Sequence, residues 1–185
     1  MNRILTPFLF VACMIIVSCN DDDPKFSSSQ IQQALFDMKG TYHGTVDVVY
    51  YQGSKITELS DAIAVSRDSL SFTMSLIPMA DIIPDESIAT RLRELGEVTV
   101  KAGYDFTQMD DDNLHFGLHP KDIVAPGGYG APPTIKLVFS QNFGGDVEIS
   151  RNFMMFNISP TELWVNGEKY DDFEQLVYHF QGVYE

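Results

Sequence analysis

The sequence predicts an all-β fold, a barrel or sandwich of about eight or nine antiparallel strands. Short segments in which apolar and polar residues alternate recur along the chain, and turn-forming residues separate them. No sequence motif repeats over 20–50 residues, which argues against a propeller or a solenoid. The length of 185 residues is that of a single domain.

The composition is that of a folded, acidic protein. Hydrophobic residues make up 44% of the chain and aromatic residues 12%, which excludes a wholly disordered protein. There are 12 lysines and arginines against 26 aspartates and glutamates, giving a formal net charge of −14. Nucleic acid is not an expected partner, because binding it requires cations that neutralise phosphates.

The first 18 residues predict an export signal rather than a membrane-spanning helix. Arg3 precedes an apolar run from Phe8 to Val17. A helix that spans the bilayer needs about 20 apolar residues to cross roughly 30 Å of hydrocarbon. The run is too short for that and is typical of the apolar part of a secretory signal peptide.

Residues 16–19 read Ile-Val-Ser-Cys and resemble the lipobox of bacterial lipoproteins. The resemblance implies cleavage after Ser18 and a diacylglycerol thioether on Cys19, a reaction that requires a nucleophilic thiolate. Two or three acyl chains would then anchor the protein to the membrane stably. The alternative is an ordinary signal peptide with a chance cysteine. Cys13 lies in the removed segment, so we expect no disulfide within the mature chain.

Residues 19–28 form a predicted tether, and residues 29–185 a single β-rich domain. Asp21, Asp22 and Asp23 follow the cysteine, and this acidic run resembles the surface-export signal of Bacteroidota lipoproteins. The resemblance implies a lipid anchor in the outer membrane with the domain on the cell surface. The alternative is a solvated tether on the periplasmic leaflet, since like charges keep such a segment extended.

Two helices are predicted beside the strands. A short leading helix covers residues 29–38, where apolar residues recur at i, i+4 and i+7. Ser28 or Ser29 can cap its start, and Gly40 can end it. An amphipathic helix over residues 84–95 has the same spacing, with a proline at its head and a glycine behind it.

The strands follow from alternation of period two. Within residues 147–158 the apolar positions change parity, which predicts a bulge or strong bend near Arg151–Asn152 or a strand covered on both faces. Residues 142–146 predict a hairpin turn before that segment, and Asn166–Gly167 a tight turn after it. Residues 62–66 are expected to pair with the next strand across Arg67–Asp68. The predicted strands are 41–51, 62–66, 69–76, 98–106, 114–118, 135–139, 147–158 and 176–180.

Residues 40–44 read Gly-Thr-Tyr-His-Gly, and this Gly-x-Tyr-x-Gly pattern resembles the start of calycin-like (lipocalin-like) domains of Bacteroidota lipoproteins of unknown function. The resemblance implies a barrel and the binding of a small molecule, and it carries no catalytic residues. The Gly-x-Trp signature of lipocalins is absent, since the single tryptophan is Trp164 near the other end.

No metal or cofactor is predicted. His115 and His119 have the spacing of a zinc pair, but on a strand residues i and i+4 lie about 13 Å apart, too far for one metal. His43 and His179 have outward parity on the first and last strands, so barrel closure would allow a histidine pair. Asp110–Asn113 predicts a solvated hairpin turn, with an adventitious cation site as the alternative.

We predict a non-enzymatic binding module for a small apolar ligand, a glycan or an envelope protein. Residues 124–133 form a loop rich in proline and glycine around Tyr129, typical either of recognition or of a long, poorly ordered connection. The candidate ligand contacts are Tyr129, Tyr42, Tyr104 and Trp164. The alternative is a structural or accessory subunit of an outer-membrane complex, with a filled core. No constellation of residues with catalytic roles predicts an enzyme.

Overall fold

The structure, a computed structural model, describes residues 26–50, 53–66, 69–127 and 132–184. The predicted signal peptide, Cys19, the acidic run after it, the Arg67–Asp68 turn and Tyr129 lie outside the described residues. Within those ranges no helix combines the length and the apolar character that crossing a bilayer needs.

The described residues form three α-helices and twelve strands. The helices are α1 (Ser28–Met38), α2 (Ile77–Ala80) and α3 (Glu86–Leu95). The strands are β1 (Gly40–Tyr50), β2 (Gly53–Val65), β3 (Ser69–Ser75), β4 (Glu97–Met109), β5 (Asn113–Pro120), β6 (Ile123–Ala125), β7 (Ile135–Phe139), β8 (Gly144–Glu148), β9 (Phe153–Ile158), β10 (Pro160–Val165), β11 (Glu168–Lys169) and β12 (Leu176–Tyr184).

Eight antiparallel strands close into a barrel in the order β1-β2-β3-β4-β5-β8-β9-β12, and β12 returns to β1. Each barrel strand therefore pairs with the next one along the chain, as in an up-and-down calycin-like barrel. Val46 lies opposite Phe180 at the closing seam, and β2 meets β3 through Val65 and Leu70. The all-β prediction is confirmed, and of its two alternatives the fold is the barrel rather than the sandwich.

A second sheet of four strands, in the order β11-β10-β7-β6, is separate from the barrel sheet. The chain passes directly from β5 to β6, from β7 to β8 and from β9 to β10. The hairpin turn predicted at residues 142–146 is wrong, because β7 and β8 do not pair with each other. Instead the chain bends there from the four-stranded sheet into the barrel, and the Phe143 carbonyl accepts a hydrogen bond from the Leu118 amide at 2.8 Å.

The bulge or strong bend predicted near Arg151–Asn152 is wrong. The chain reverses direction there in a hairpin, and this reversal explains why the apolar positions change parity within residues 147–158. A 3₁₀ turn over Ile149–Arg151 joins β8 to β9, and Asn152 adopts the left-handed conformation at φ 52°. The two strands pair side by side, with Val147 opposite Met154. The tight turn predicted at Asn166–Gly167 is confirmed, with positive φ at both residues.

Helix α1 covers the end of the barrel where β1 begins, which we call the α1 end. Its predicted range is confirmed, although Ser27 rather than Ser28 or Ser29 provides the cap, with the Gln30 amide donating to its hydroxyl at 3.3 Å. Ala34 and Met38 are fully buried beneath the helix. Packing against the barrel therefore fixes α1 in place.

The opposite end of the barrel, which we call the α3 end, carries α2, α3 and the four-stranded sheet. Helix α3 was predicted, whereas the four-residue α2 was not. Asp85 caps α3 by accepting from the Ser87 and Ile88 amides at 2.9 and 3.2 Å. An Arg91 guanidinium nitrogen donates to the Pro126 carbonyl at 3.1 Å, which ties α3 to the chain just after β6.

Candidate functional site

Aromatic side chains fill the inside of the barrel. The Phe156 ring stacks on Phe180 with centroids 5.1 Å apart and meets Phe72 edge-on at 5.3 Å. Tyr104 meets Phe116 at 6.0 Å. Pairs at these distances are in van der Waals contact and favourably oriented. The middle of the barrel is therefore occupied by its own side chains.

Tyr42 and Tyr104, two of the predicted ligand contacts, point into this interior and donate their hydroxyls to the protein's own backbone. Tyr42 donates to the Met38 carbonyl at 3.0 Å and Tyr104 to the Ser66 carbonyl at 2.8 Å. Burial, and to a smaller degree the neighbouring Tyr184, raises the pKa of Tyr42 to about 12. Both phenols thus hold structure together at the α1 end.

The barrel brings the first and last strands together, but it does not pair their histidines. His43 lies opposite Val183, and His179 lies opposite Asp47. The two histidines are four residues apart in register, so the His43–His179 pair that barrel closure would allow does not form. His179 instead shares a hydrogen bond with the Asn157 side chain at 2.7 Å.

His115 and His119 lie on the outer face of β5, as two separate pairs with aspartates of neighbouring strands. His115 contacts Asp146 on β8, and His119 Nε2 lies 2.8 Å from Asp105 Oδ2 on β4. The predicted strand spacing is confirmed. Within the described ranges, no group of three or more histidine, cysteine, aspartate or glutamate side chains is placed to hold a metal ion.

The acidic stretch from Asp110 to Asn113 is a hairpin turn between β4 and β5, as predicted. Asp110 Oδ1 accepts from the Asp112 and Asn113 amides at 3.0 and 2.7 Å. These hydrogen bonds hold the pKa of the Asp110 carboxyl below its usual range. The Asp110 carboxylate therefore stabilises the turn.

The outer face of the four-stranded sheet carries Trp164, the fourth predicted contact residue. Across the strands, Trp164 lies between Lys136 on β7 and Lys169 on β11, and Val124 on β6 continues the row. Ile135 and Leu137 point to the other face and are buried. Buried residues therefore support the row from the other face of the sheet. The row itself consists of an aromatic ring, two cations and an apolar side chain.

Glu162 holds this row together. Its carboxylate accepts from Lys169 Nζ at 2.6 Å and from the Trp164 indole at 2.8 Å. The Lys169 ammonium first, and then the indole, hold the pKa of Glu162 below its usual range. Lys136 is paired with Asp122 at 2.9 Å. The indole and both lysines are thus held in place by neighbouring carboxylates.

The described ends of the proline- and glycine-rich loop, residues 124–127 and 132–133, connect to β6 and β7 of this sheet. The Gly127 amide donates to the Thr134 hydroxyl at 2.8 Å, and the Thr134 amide donates to the Asn166 side chain at 3.0 Å. These bonds tie the loop's base to the β10–β11 turn. A groove of about 360 Å³ separates Pro132 and Pro133 from the Arg91 side of α3.

Lys136, Lys169 and Arg91 were not among the predicted contact residues. The alternation of β7 places Lys136 on the face opposite Leu137, and the two-residue Asn166–Gly167 turn places Lys169 across from Trp164. Both could have been found from the pattern. Arg91 carries no such signal, because its contact with the Pro126 carbonyl depends on tertiary packing.

The four predicted contacts therefore do not form one site. Tyr42 and Tyr104 lie inside the barrel, the half-buried Trp164 lies on the face of the four-stranded sheet opposite Ile135 and Leu137, and Tyr129 lies outside the described residues. No protein-family model, no curated protein and no solved structure matches this chain.

Proposed function

We propose that the protein is a lipid-anchored lipoprotein of the cell envelope that binds a glycan or a protein partner through the surface of its α3 end. The anchor is the acylated Cys19, in the outer membrane and with the domain on the cell surface. The role is binding rather than catalysis. The observation that carries the binding proposal is the row Val124, Lys136, Trp164 and Lys169 on the open sheet face.

The chemistry of this row supports binding at the surface. An indole offers a large, rigid contact area, and tryptophan is enriched where proteins bind partners. The lysines and Glu162 add charged hydrogen-bonding groups around it. By contrast, the stacked rings of Phe72, Phe156 and Phe180 occupy the space that an apolar ligand would need inside the barrel.

The lipid anchor is tested by metabolic labelling with an alkynyl fatty acid. We expect the wild-type chain to incorporate the label and Cys19→Ala to lose it. The matched control is Cys13→Ala, which should keep the label because that residue leaves with the signal peptide. Protease treatment of intact cells then tests surface display: protection of a labelled chain would place it on the periplasmic leaflet.

The binding face is tested with the single tryptophan as its own reporter. Binding of a glycan or a partner over the row should change the Trp164 emission, and a glycan array followed by fluorescence titration can detect it. We expect Trp164→Ala, which carries no tryptophan and is therefore compared on the array alone, and Lys136→Ala, compared in both assays, to lose binding. Val49→Ala, at an exposed apolar position on the barrel wall, should keep it. Equal binding by all three variants would contradict this face.

The filled barrel also favours a second candidate, an accessory subunit of an outer-membrane complex. Cross-linking in intact cells distinguishes the two. A subunit is expected to give one membrane-protein partner in fixed ratio, whereas a glycan-binding module gives none. For a subunit, cross-linkers placed at Lys136 or Lys169 should be the productive ones.

A further inference from the structure

We propose that the α1 end contacts the membrane directly, with Phe36 and Tyr184 inserted among zwitterionic phospholipid headgroups. This inference rests on the proposed acylation of Cys19. It adds an orientation: the barrel would stand on its α1 end and present its α3 end away from the membrane.

The length of chain next to Cys19 places α1 close to the bilayer. Eight residues separate Cys19 from Ser28, the first residue of α1. Fully extended, that stretch spans at most roughly 30 Å. An acylated cysteine would therefore keep α1 within about one bilayer thickness of the surface, and the α1 end is the part of the domain nearest to the anchor.

Large apolar side chains are exposed at this end. Phe36 is 64% exposed, Val183 46% and Tyr184 45%. Lys39 Nζ lies 4.7 Å from the centre of the Phe36 ring. Aromatic rings with an adjacent lysine suit the membrane interface, because the ring enters the headgroup region while the ammonium stays in water. Packing of α1 against the barrel holds Phe36 in position.

The acidic groups of the α1 end lie on the other side of the helix. Gln32, Leu35, Phe36 and Lys39 line one side of α1, whereas Asp37 lies on the opposite side with Asp110 and Asp111 of the β4–β5 turn. The end is thus divided into an apolar side and an acidic side. A net charge of −14 disfavours anionic lipid. Zwitterionic headgroups on the apolar side are therefore the occupant that the charges allow.

The experiment places a fluorophore at three positions of the lipidated chain in phosphatidylcholine and phosphatidylethanolamine vesicles. Nitrobenzoxadiazole is attached to Gln32→Cys on the apolar side, to Asp111→Cys on the acidic side, and to Val124→Cys at the α3 end. Spin-labelled phosphatidylcholine is the quencher. We expect quenching at position 32 to exceed that at positions 111 and 124 by more than about twofold. Phe36→Ser should remove the difference.

Equal quenching at the three positions, or a Phe36→Ser variant that keeps the full difference, would overturn this orientation while leaving the anchor intact. Mass spectrometry of the same sample separates the two proposals. A chain that carries no acyl group on Cys19 would overturn the anchor and the orientation together.

Discussion

The two ends of the barrel are built differently. At the α1 end a single helix covers the interior, and Tyr42 fastens it through one hydrogen bond to the Met38 carbonyl. At the α3 end the chain forms two helices and a separate four-stranded sheet, which carries the half-buried Trp164 on the face opposite its buried residues. The barrel is thus a packed scaffold, with one end next to the proposed anchor in the chain and the other carrying the proposed binding face.

Among the predictions, a substitution in the barrel core should give the largest change in stability. Phe156 is buried between Phe72 and Phe180, so Phe156→Ala should lower the free energy of unfolding by about 3–5 kcal/mol. Phe36→Ala is the matched control, because the same side chain is 64% exposed there and its loss should change stability by at most about 0.5 kcal/mol. Urea unfolding measures both. A stable Phe156→Ala variant would mean that the barrel is not close-packed.

The barrel wall itself provides a second matched pair, at two glycines. A Cβ added at Gly44 would lie 1.8 Å from the Gln181 carbonyl oxygen, across the seam that closes the barrel. Gly44→Ala should therefore cost about 1–3 kcal/mol. A Cβ at Gly117 would meet only the Thr107 methyl group at 3.9 Å, so Gly117→Ala should be neutral or slightly stabilising. Comparable losses in both variants would contradict the closed seam.

Removing one helix cap at the α1 end and one at the α3 end compares the stability of the two ends directly. Ser27→Ala and Asp85→Ala each remove a side chain that accepts from amides of the first helical turn, with an expected cost of about 1 kcal/mol. Hydrogen exchange should show the Ser27→Ala change confined to α1. The Asp85→Ala change should instead appear in α3. Faster exchange spread over both helices in either variant would show that the ends are coupled.

The smallest predicted change is a pH titration seen by Trp164. Because Glu162 has a lowered pKa in the folded protein, its pairing stabilises the fold above the ordinary pKa of 4.5 and is lost as pH falls through the lower, folded value. The Trp164 emission should therefore titrate below pH 4.5. Lys169→Met should move that midpoint upward, and Lys136→Met should move it less. An unchanged midpoint in Lys169→Met would contradict the pairing.

The barrel was predictable because its strands alternate cleanly. Leu114, Phe116 and Leu118 point inward, as their period of two requires, and the leading helix and α3 follow from apolar spacing and capping residues. The four-stranded sheet was not predictable in the same way. Its edge strands β6 and β11 have three and two residues, too few for any period to show.

The candidate site was predicted only through its tryptophan. Aromatic type alone could not separate the half-buried Trp164 from Tyr42 and Tyr104, which are buried in the core. What separates them is the burial of the surrounding sheet, and that depends on which strands pair. The loop around Tyr129 was identified from its prolines and glycines. The hydrogen bond that ties Thr134, next to the loop, to Asn166 joins residues 32 positions apart, so no local pattern could show it.

Native mass spectrometry of the full chain, extracted from membranes in mild detergent, tests this account most directly. It measures the covalent mass and any bound molecule in one spectrum. The account predicts a chain that begins at Cys19, carries two or three acyl groups, and holds no apolar ligand inside the barrel. A chain that still begins at Met1, or an acylated chain that retains an apolar molecule after the detergent is removed, would contradict it.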